Sequence, residues 1–237
     1  MNWKRCLLLV LSLGCFTAFA FLPPAMAVPA ASAADTFYLT IQGKGSHGSM
    51  PHLGVDPVLT GAEIVVALHT VVSRNVTPGE MTVISVGKFQ AGDAPNVIPD
   101  TAEMAATIRT VTEPTRQLVA DRIKTFVDSI VKANGATYKL NYVLGYPAVQ
   151  NDPALVDLAK ASVTKILGAD YVVNSHDCMT ASEDFAYYKG VAPECLIVLG
   201  VGEGVANHHP KFNINENALV NGVKAEVQII LDYLNQK

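Results

Sequence analysis

Two histidines, His47 and His52, lie five residues apart in GKGSHGSMPH, the stretch of residues 43–52. Imidazole side chains bind transition metals and also transfer protons in catalysis. This stretch could therefore be half of a metal site, part of an active-site loop, or an exposed polar turn. Because short motifs produce many false matches, other parts of the chain have to decide between these interpretations.

A second set of side chains that could do chemistry is spread along the chain, and each also has a purely structural explanation. Adjacent histidines in an extended chain point to opposite sides, so they do not easily bind one ion together. Carboxylates at a helix start usually cap the helix, an arginine in a strand can pair with a carboxylate, and an asparagine between prolines suits a turn. The set comprises Asn96, Arg109, Glu183, Asp184, His208 and His209.

The elements that must position these residues follow from hydrophobic periodicity. Alternating segments predict strands at DTFYLTIQG, EMTVISVGKFQAG, TAEMAATIRTV and ATYKLNYVLGY, with two amphipathic helices between them. Asp56 with Pro57 marks the start of one helix, and Pro114 and Gly135 bracket the other. His69 is on an apolar helical face and is predicted to be a core histidine. The order βαββαβ over residues 36–146 predicts a ferredoxin-like α+β sandwich.

The rest of the chain, after a turn-rich boundary near residue 150, has α/β patterning. It predicts a helix at about 153–168, a helix that begins in TASEDFAYY, a buried strand at CLIVLGVG, and a final helix from about Glu216. A single buried strand with three helices cannot cover itself, so this part is expected to be an incomplete α/β remnant.

The first 33 residues are predicted to form a leader, either a signal peptide or a hydrophobic anchor. Lys4 and Arg5 precede an apolar run and two A-x-A triplets, the pattern of a secretory signal peptide cleaved after Ala27 or Ala33. The alternative is an uncleaved hydrophobic anchor, which would attach the chain to a membrane. The chain is then secreted or periplasmic if the signal is real, and cytoplasmic otherwise.

The composition indicates a globular protein. The formal net charge is −4, which argues against nucleic acid as a partner because phosphate binding needs a surplus of basic residues. After cleavage of the leader, Cys178 and Cys195 would be the remaining cysteines, and they could pair or stay as separate thiols.

Taken together, GKGSHGSMPHLGVDPV, SVGKFQAGDAPNVIPDTAEMAATIRT, TASEDFAYY and HHPKFNINE resemble the M20 metallopeptidase family. The nearest branch contains hippurate hydrolases, N-acyl-amino-acid amidohydrolases and auxin-conjugate hydrolases. The resemblance implies a lid and dimerisation domain at 36–147, and at 148–237 the C-terminal part of a catalytic domain that uses two metal ions.

The resemblance also implies roles for individual residues. His47 would stabilise the oxyanion, often in the neighbouring subunit's active site, and Asn96 would help hold the substrate carbonyl or carboxylate. Arg109 would bind the free carboxylate of an N-acyl amino acid or a peptide-like substrate, and His208 would be a metal ligand. The lid would form a homodimer.

The family's N-terminal metal ligands and its general-base glutamate do not appear in this sequence. Zinc or manganese is the expected cofactor, but a binuclear site is not expected to be complete in this chain. We therefore expect a truncated amidohydrolase homologue that is weakly active or inactive alone. Two alternatives are a non-catalytic dimerisation or ligand-binding module and a subunit that a partner completes in trans.

Overall fold

A computed structural model describes residues 26–27, 30–174, 179–202 and 209–236. These residues contain four α-helices, eleven strands, and short 3-10 helices at Pro51–Leu53, Ala169–Tyr171 and Asp184–Tyr188. In chain order the strands and α-helices are β1 (Met26–Ala27), β2 (Ala30–Ala31), β3 (Ala33–Gln42), β4 (Ser46–His47), α1 (Pro57–Asn75), β5 (Thr82–Ala91), β6 (Val97–Ile98), β7 (Thr101–Thr110), α2 (Glu113–Ala133), β8 (Thr137–Val143), β9 (Val149–Gln150), α3 (Pro153–Leu167), β10 (Val173–Asn174), β11 (Ile197–Val198) and α4 (Asn217–Leu234).

The chain divides into two compact units, of which one is Ser32–Ala148. Its four-stranded sheet has the order β5-β7-β3-β8, and every neighbouring pair is antiparallel. The elements follow one another as β3, α1, β5, β7, α2 and β8, which is the βαββαβ order predicted for residues 36–146.

The core of this unit lies between the sheet and its two long helices. Successive side chains of a strand point to opposite faces, and alternate residues of β3 and β7 are buried on the helix side. Phe37 of β3 lies opposite Ala106 of β7, and both belong to the same cluster as Leu68 of α1 and Ile123 of α2. The other face of the sheet is more exposed.

Capping residues fix the ends of both helices as the sequence predicts. The Asp56 carboxylate accepts hydrogen bonds from the Val58 N–H at 2.8 Å and the Leu59 N–H at 3.2 Å, so α1 begins at Pro57. Gly135, just beyond α2, has a φ of 72°, the left-handed conformation that favours glycine at a helix end. One prediction on α1 is wrong, because His69 is exposed.

A buried ion pair connects three elements of this unit. The Arg116 guanidinium of α2 donates through Nε and Nη2 to the two oxygens of Asp35 in β3, at 2.9 and 2.6 Å. Asp35 is 1% exposed and Arg116 is 6% exposed. The Gly145 N–H and the Tyr142 hydroxyl also donate to Asp35, at 3.0 and 3.2 Å. Burial and the Asp35 charge raise the pKa of Tyr142. The carboxylate is thus fully compensated inside the protein.

The second unit contains the remaining described residues. Helices α3 and α4 pack through Val163 and Ala225. Asp232 of α4 accepts hydrogen bonds from the Ser162 hydroxyl and the Lys165 ammonium of α3, both at 2.8 Å. Its strands are two residues long and form the sheets β10-β1-β11 and β2-β9.

Two predictions for this unit are corrected. TASEDFAYY opens only the short 3-10 helix Asp184–Tyr188, because Gly190 at a φ of 88° and Pro193 follow it and stop a longer helix. The buried strand expected at CLIVLGVG is reduced to Ile197–Val198. It is also not alone, because β1 pairs with it in antiparallel direction and with β10 in parallel direction. The leader interpretation concealed β1.

The remaining predictions for this part of the chain concern the signal peptide and the two cysteines. Residues 1–25 and Cys178 lie outside the described residues, so the signal peptide and the state of Cys178 stay predictions. Cys195 is half-buried, and burial raises the pKa of its thiol to about 12. Within the described ranges, no helix is long and apolar enough to cross a membrane.

Candidate active site

The loop that contains His47 is held against residues 94–100 by an antiparallel backbone ladder. β4 pairs with β6, which places Ser46 opposite Ile98 and His47 opposite Val97. The ladder continues on the far side of His47, where the Gly48 N–H donates to the Asn96 carbonyl at 2.8 Å. The structure therefore brings His47 and Asn96 together, although they are far apart in sequence.

Asp100 connects this ladder to the main sheet. Its backbone carbonyl accepts from the Gly43 N–H at 2.8 Å, and its carboxylate accepts from the Gly45 N–H at 2.7 Å. The register shifts by one residue between the pairs Gln42↔Thr101 and Ser46↔Ile98. Such a shift bends a strand and redirects the side chains beyond it. Asp100 thus sets the direction in which the His47 loop leaves the sheet.

Glycine is required in this loop by close backbone approach. A Cβ atom on Gly43 would lie 2.2 Å from the Val55 carbonyl oxygen, and one on Gly48 would lie 3.1 Å from the Asn96 carbonyl oxygen. The first distance is impossible for any residue with a side chain, and the second is tight. The glycines of GKGSHG therefore allow two chain segments to run against the loop.

The His47 imidazole is exposed and is oriented by its own loop. The Ser49 N–H donates to His47 Nδ1 at 3.1 Å, and the Ser49 hydroxyl lies 2.7 Å from the same nitrogen. The Asn96 side chain is also exposed. An imidazole N–H and a carboxamide N–H are donors of the kind that stabilise the oxyanion formed during acyl transfer.

Arg109 lies elsewhere in the same unit. It is half-buried on the sheet face opposite the helices, between Ala34 of β3 and Val83 of β5. Arg109 lies eight positions along β7 from Thr101, where the strand adjoins the loop, and this corresponds to roughly 27 Å of strand. The structure therefore does not place Arg109 beside His47 and Asn96.

The described residues do not fit a metal ion. They contain no group of three His, Cys, Asp or Glu side chains that could hold one. His208, the predicted metal ligand, lies outside the described residues. His209 is exposed, and its Nδ1 accepts from the Lys211 N–H at 3.0 Å. Any metal site would need ligands beyond those described.

Sequence reasoning missed two residues that shape this site, Ser49 and Asp100. Ser49 looked like an ordinary loop residue, although it stands two positions from His47. Asp100 follows a proline in NVIPD, where an aspartate is also an ordinary turn residue. Both act through hydrogen bonds that depend on the folded position of the loop.

Comparison with known proteins identifies the same family that the sequence motifs resemble. Residues 33–232 match the family model described as Peptidase family M20/M25/M40. N-acetyl-L-cysteine deacetylase of Bacillus subtilis is 35% identical over 192 residues, which cover 81% of this chain and 45% of the relative. Hippurate hydrolase of Campylobacter jejuni is 29% identical over 203 residues, which cover 86% of this chain and 53% of the relative. The chain thus spans about half the length of these relatives.

Two solved structures are similar to this chain in fold and in sequence. An aminohydrolase from methicillin-resistant Staphylococcus aureus superposes with a TM-score of 0.82 at 33% identity, covering 92% of this chain and 58% of that chain. A dinuclear metal-binding peptidase of the M20 family from Bacillus subtilis superposes with a TM-score of 0.67 at 26% identity, covering 92% and 54% respectively.

Proposed function

The chain belongs to peptidase family M20/M25/M40, and we propose that it serves the hydrolysis of the amide bond of N-acyl amino acids. The family predicted from the sequence motifs is confirmed, and the described residues have the α/β fold of M20 peptidases. The observation that carries the proposal is the pairing of the His47 strand with the Asn96 segment in a chain whose relatives include a deacetylase and a hippurate hydrolase.

In this proposal His47 and Asn96 act on the scissile carbonyl. Attack of water on an amide gives a tetrahedral intermediate with a negative oxygen. The His47 ring N–H and the Asn96 carboxamide N–H donate to that oxygen, and one such donor is often worth about 10²–10³ in rate. The backbone ladder fixes the positions of the two chain segments that carry these donors before the reaction begins.

Arg109 is proposed to bind the carboxylate of the substrate. A guanidinium pairs with a carboxylate through two parallel hydrogen bonds, which suits the free acid group of an N-acyl amino acid. Because roughly 27 Å of β7 lies between Arg109 and the His47 loop, both residues of one chain do not serve one small substrate. This separation supports a homodimer in which His47 reaches the neighbouring subunit's site. The outer strands β5 and β8 of the sheet are available as edges for such contact.

A divalent ion such as zinc or manganese is proposed as the family's source of activated water. The described residues do not fit it, so we assign only His208, outside those residues, as a ligand. We therefore propose that this chain alone hydrolyses amides weakly or not at all, and completion of the site by a partner in trans is an alternative. We also propose that the chain is secreted or periplasmic if its leader is a signal peptide, and cytoplasmic otherwise.

A second candidate function is a module that binds or dimerises without catalysis. The observation that favours it is the lack of a metal-ligand cluster in the part of the chain that the structure describes. Such a module would still bind N-acyl amino acids through Arg109, but it would remain inactive with every metal and every partner half.

Binding and metal content test the proposal first. N-acetylcysteine and hippurate are titrated into the full chain by calorimetry, and metal per chain is measured after incubation with Zn²⁺ or Mn²⁺ and desalting. We expect that Arg109→Ala abolishes binding. Lys88→Ala, at a cation on the same sheet to which the proposal gives no role, is expected to leave binding unchanged. Metal near two ions per chain, or binding indifferent to Arg109, would contradict the proposal.

Turnover is the second test. Acetate release from N-acetylcysteine is followed with the chain alone and with the N-terminal half of a family member added. Where turnover is detected, His47→Ala lowers kcat about 10²–10³-fold with little change in KM, because an oxyanion contact is made only in the transition state. The exposed His52, in the same loop region, supplies the matched control His52→Ala.

A further inference from the structure

The hydrogen bonds around His47 determine which of its nitrogens carries the proton. Neutral imidazole has one N–H and one bare nitrogen, and the bond made by one nitrogen fixes the state of the other. The Ser49 backbone N–H, 3.1 Å from Nδ1, can only donate, so Nδ1 must be the bare nitrogen. The proton is then on Nε2.

The Ser49 hydroxyl does not settle this question by itself. At 2.7 Å from Nδ1 it could donate to a bare nitrogen or accept from a protonated one. Only the first arrangement is compatible with the bond from the Ser49 backbone N–H. If Nδ1 were protonated, its hydrogen would point at the hydrogen of that N–H. The two groups of Ser49 therefore favour the same tautomer.

The loop holds this donor in position. The Met50 N–H donates to the His47 carbonyl at 2.7 Å, which closes a tight turn with Gly48 and Ser49 at its centre. Gly48 is tied to the Asn96 carbonyl on the facing segment. The Ser49 N–H is thus fixed relative to the imidazole by bonds on both sides of it.

From this geometry we infer that Ser49 is a positioning residue that holds His47 in the Nε2–H tautomer and so keeps Nε2 as the donor. The tautomer itself follows from the hydrogen bonds, whereas its use on an oxyanion rests on the proposed function. Without the Ser49 N–H, the ring would exchange between both tautomers, and part of the population would present a bare nitrogen to the substrate.

Ring nitrogen chemical shifts test the inference. The full chain is labelled with ¹⁵N-histidine, and long-range ¹H–¹⁵N spectra are recorded near pH 8, about 1.5 units above the ordinary imidazole pKa. His47→Gln assigns the signals of His47. We expect an unprotonated Nδ1 and a protonated Nε2 for His47, and exchange-averaged shifts for the exposed His52. Averaged shifts for His47, or a protonated Nδ1, would overturn the inference.

Two substitutions separate the backbone donor from the hydroxyl. Ser49→Ala keeps the N–H and is expected to leave the tautomer unchanged, whereas Ser49→Pro removes the N–H and is expected to give averaged shifts. The amide signal of Gly48, whose N–H donates to the Asn96 carbonyl, shows whether the loop pairing survives the proline. An unchanged tautomer in Ser49→Pro with the pairing intact contradicts the inference.

A direct measurement covers the case in which proline disrupts the turn. The N–H···N bond transmits a scalar coupling between the Ser49 amide nitrogen and His47 Nδ1 in uniformly ¹⁵N-labelled wild-type chain. Its presence supports the inference, and its absence with a protonated Nδ1 overturns it. None of these measurements needs substrate, so they test the tautomer independently of turnover. If His47→Ala leaves turnover unchanged, that result refutes the proposed function but not the tautomer.

Discussion

The unit Ser32–Ala148 and the remaining described residues differ in how they bury apolar side chains. In the first, one continuous cluster joins the sheet to both helices. In the second, the buried residues form small clusters, such as Val163 with Ala225. Helix α4 also exposes about half of each of several apolar side chains at four-residue intervals. These side chains are Leu219, Val223, Val227 and Leu231.

The difference shows that the candidate site residues lie in the unit with the continuous core. A helix with an apolar stripe gains stability only when that stripe is covered. The unit that carries His47, Asn96 and Arg109 has its own covered core, so its loop geometry is supported within the unit. The second unit has fewer described contacts that could fix a site.

The largest expected effect comes from breaking the buried ion pair. Arg116→Ala leaves the Asp35 carboxylate buried without its charge partner, which costs about 3–5 kcal/mol in the free energy of unfolding. Urea unfolding followed by circular dichroism measures it. The matched control Lys132→Ala, on the same helix but in an exposed pair with Asp128, is expected to cause no resolvable change. Equal effects of the two substitutions would show that the buried network contributes nothing.

A pair of valines tests the contrast between the units directly. Val127 in α2 is 0% exposed and Val227 in α4 is 50% exposed. Val127→Ala should cost about 2 kcal/mol, from lost transfer free energy and the cavity left behind. Val227→Ala should change stability by less than about 0.5 kcal/mol. Thermal and urea unfolding provide both values. A large cost at Val227 would mean that α4 is covered in solution.

A smaller, pH-dependent effect is expected at Glu194 in the second unit. It is 5% exposed, its Oε2 has no hydrogen-bond partner among the described residues, and burial raises the pKa of its carboxyl. The folded state then binds this proton more tightly than the unfolded state, so the group reduces stability as pH rises through the folded pKa. Glu194→Gln removes that loss.

The midpoint of thermal unfolding measures this effect at several pH values. The difference in unfolding midpoint, Glu194→Gln minus wild type, should increase as the pH rises from about 4 to about 7. The lower limit is the ordinary pKa of a glutamate side chain. Asp184→Asn, at the start of the nearby 3-10 helix, is the control with no such expectation. A difference that stays constant with pH would show that the Glu194 carboxyl keeps its ordinary affinity for the proton.

Local signals in the sequence predicted most of the unit Ser32–Ala148. Alternation defined the strands because one face of the sheet is covered, and Asp56 and Gly135 marked helix ends through interactions within a few residues. The pairing of Asp35 with Arg116 joins residues that are 81 positions apart. No local pattern specifies such a contact.

The candidate site was predictable only in part. The motifs identified His47 and Asn96, and the structure places their backbones in one ladder. The contributions of Ser49 and Asp100 depend on backbone direction after a one-residue register shift, which periodicity does not reveal. In the second unit, the two-residue strands are too short to produce an alternating pattern, so CLIVLGVG was predicted as a longer isolated strand.

The ladder that holds the His47 loop has a consequence for amide hydrogen exchange. His47 and Ser49 of this loop are exposed, yet the N–H groups of Gly43, Lys44, Gly45 and Gly48 all donate to acceptors on facing segments. Exchange at these positions requires the ladder to open, so they should exchange slowly for a surface loop. A loop whose outer face is open to solvent is thereby kept rigid along its backbone.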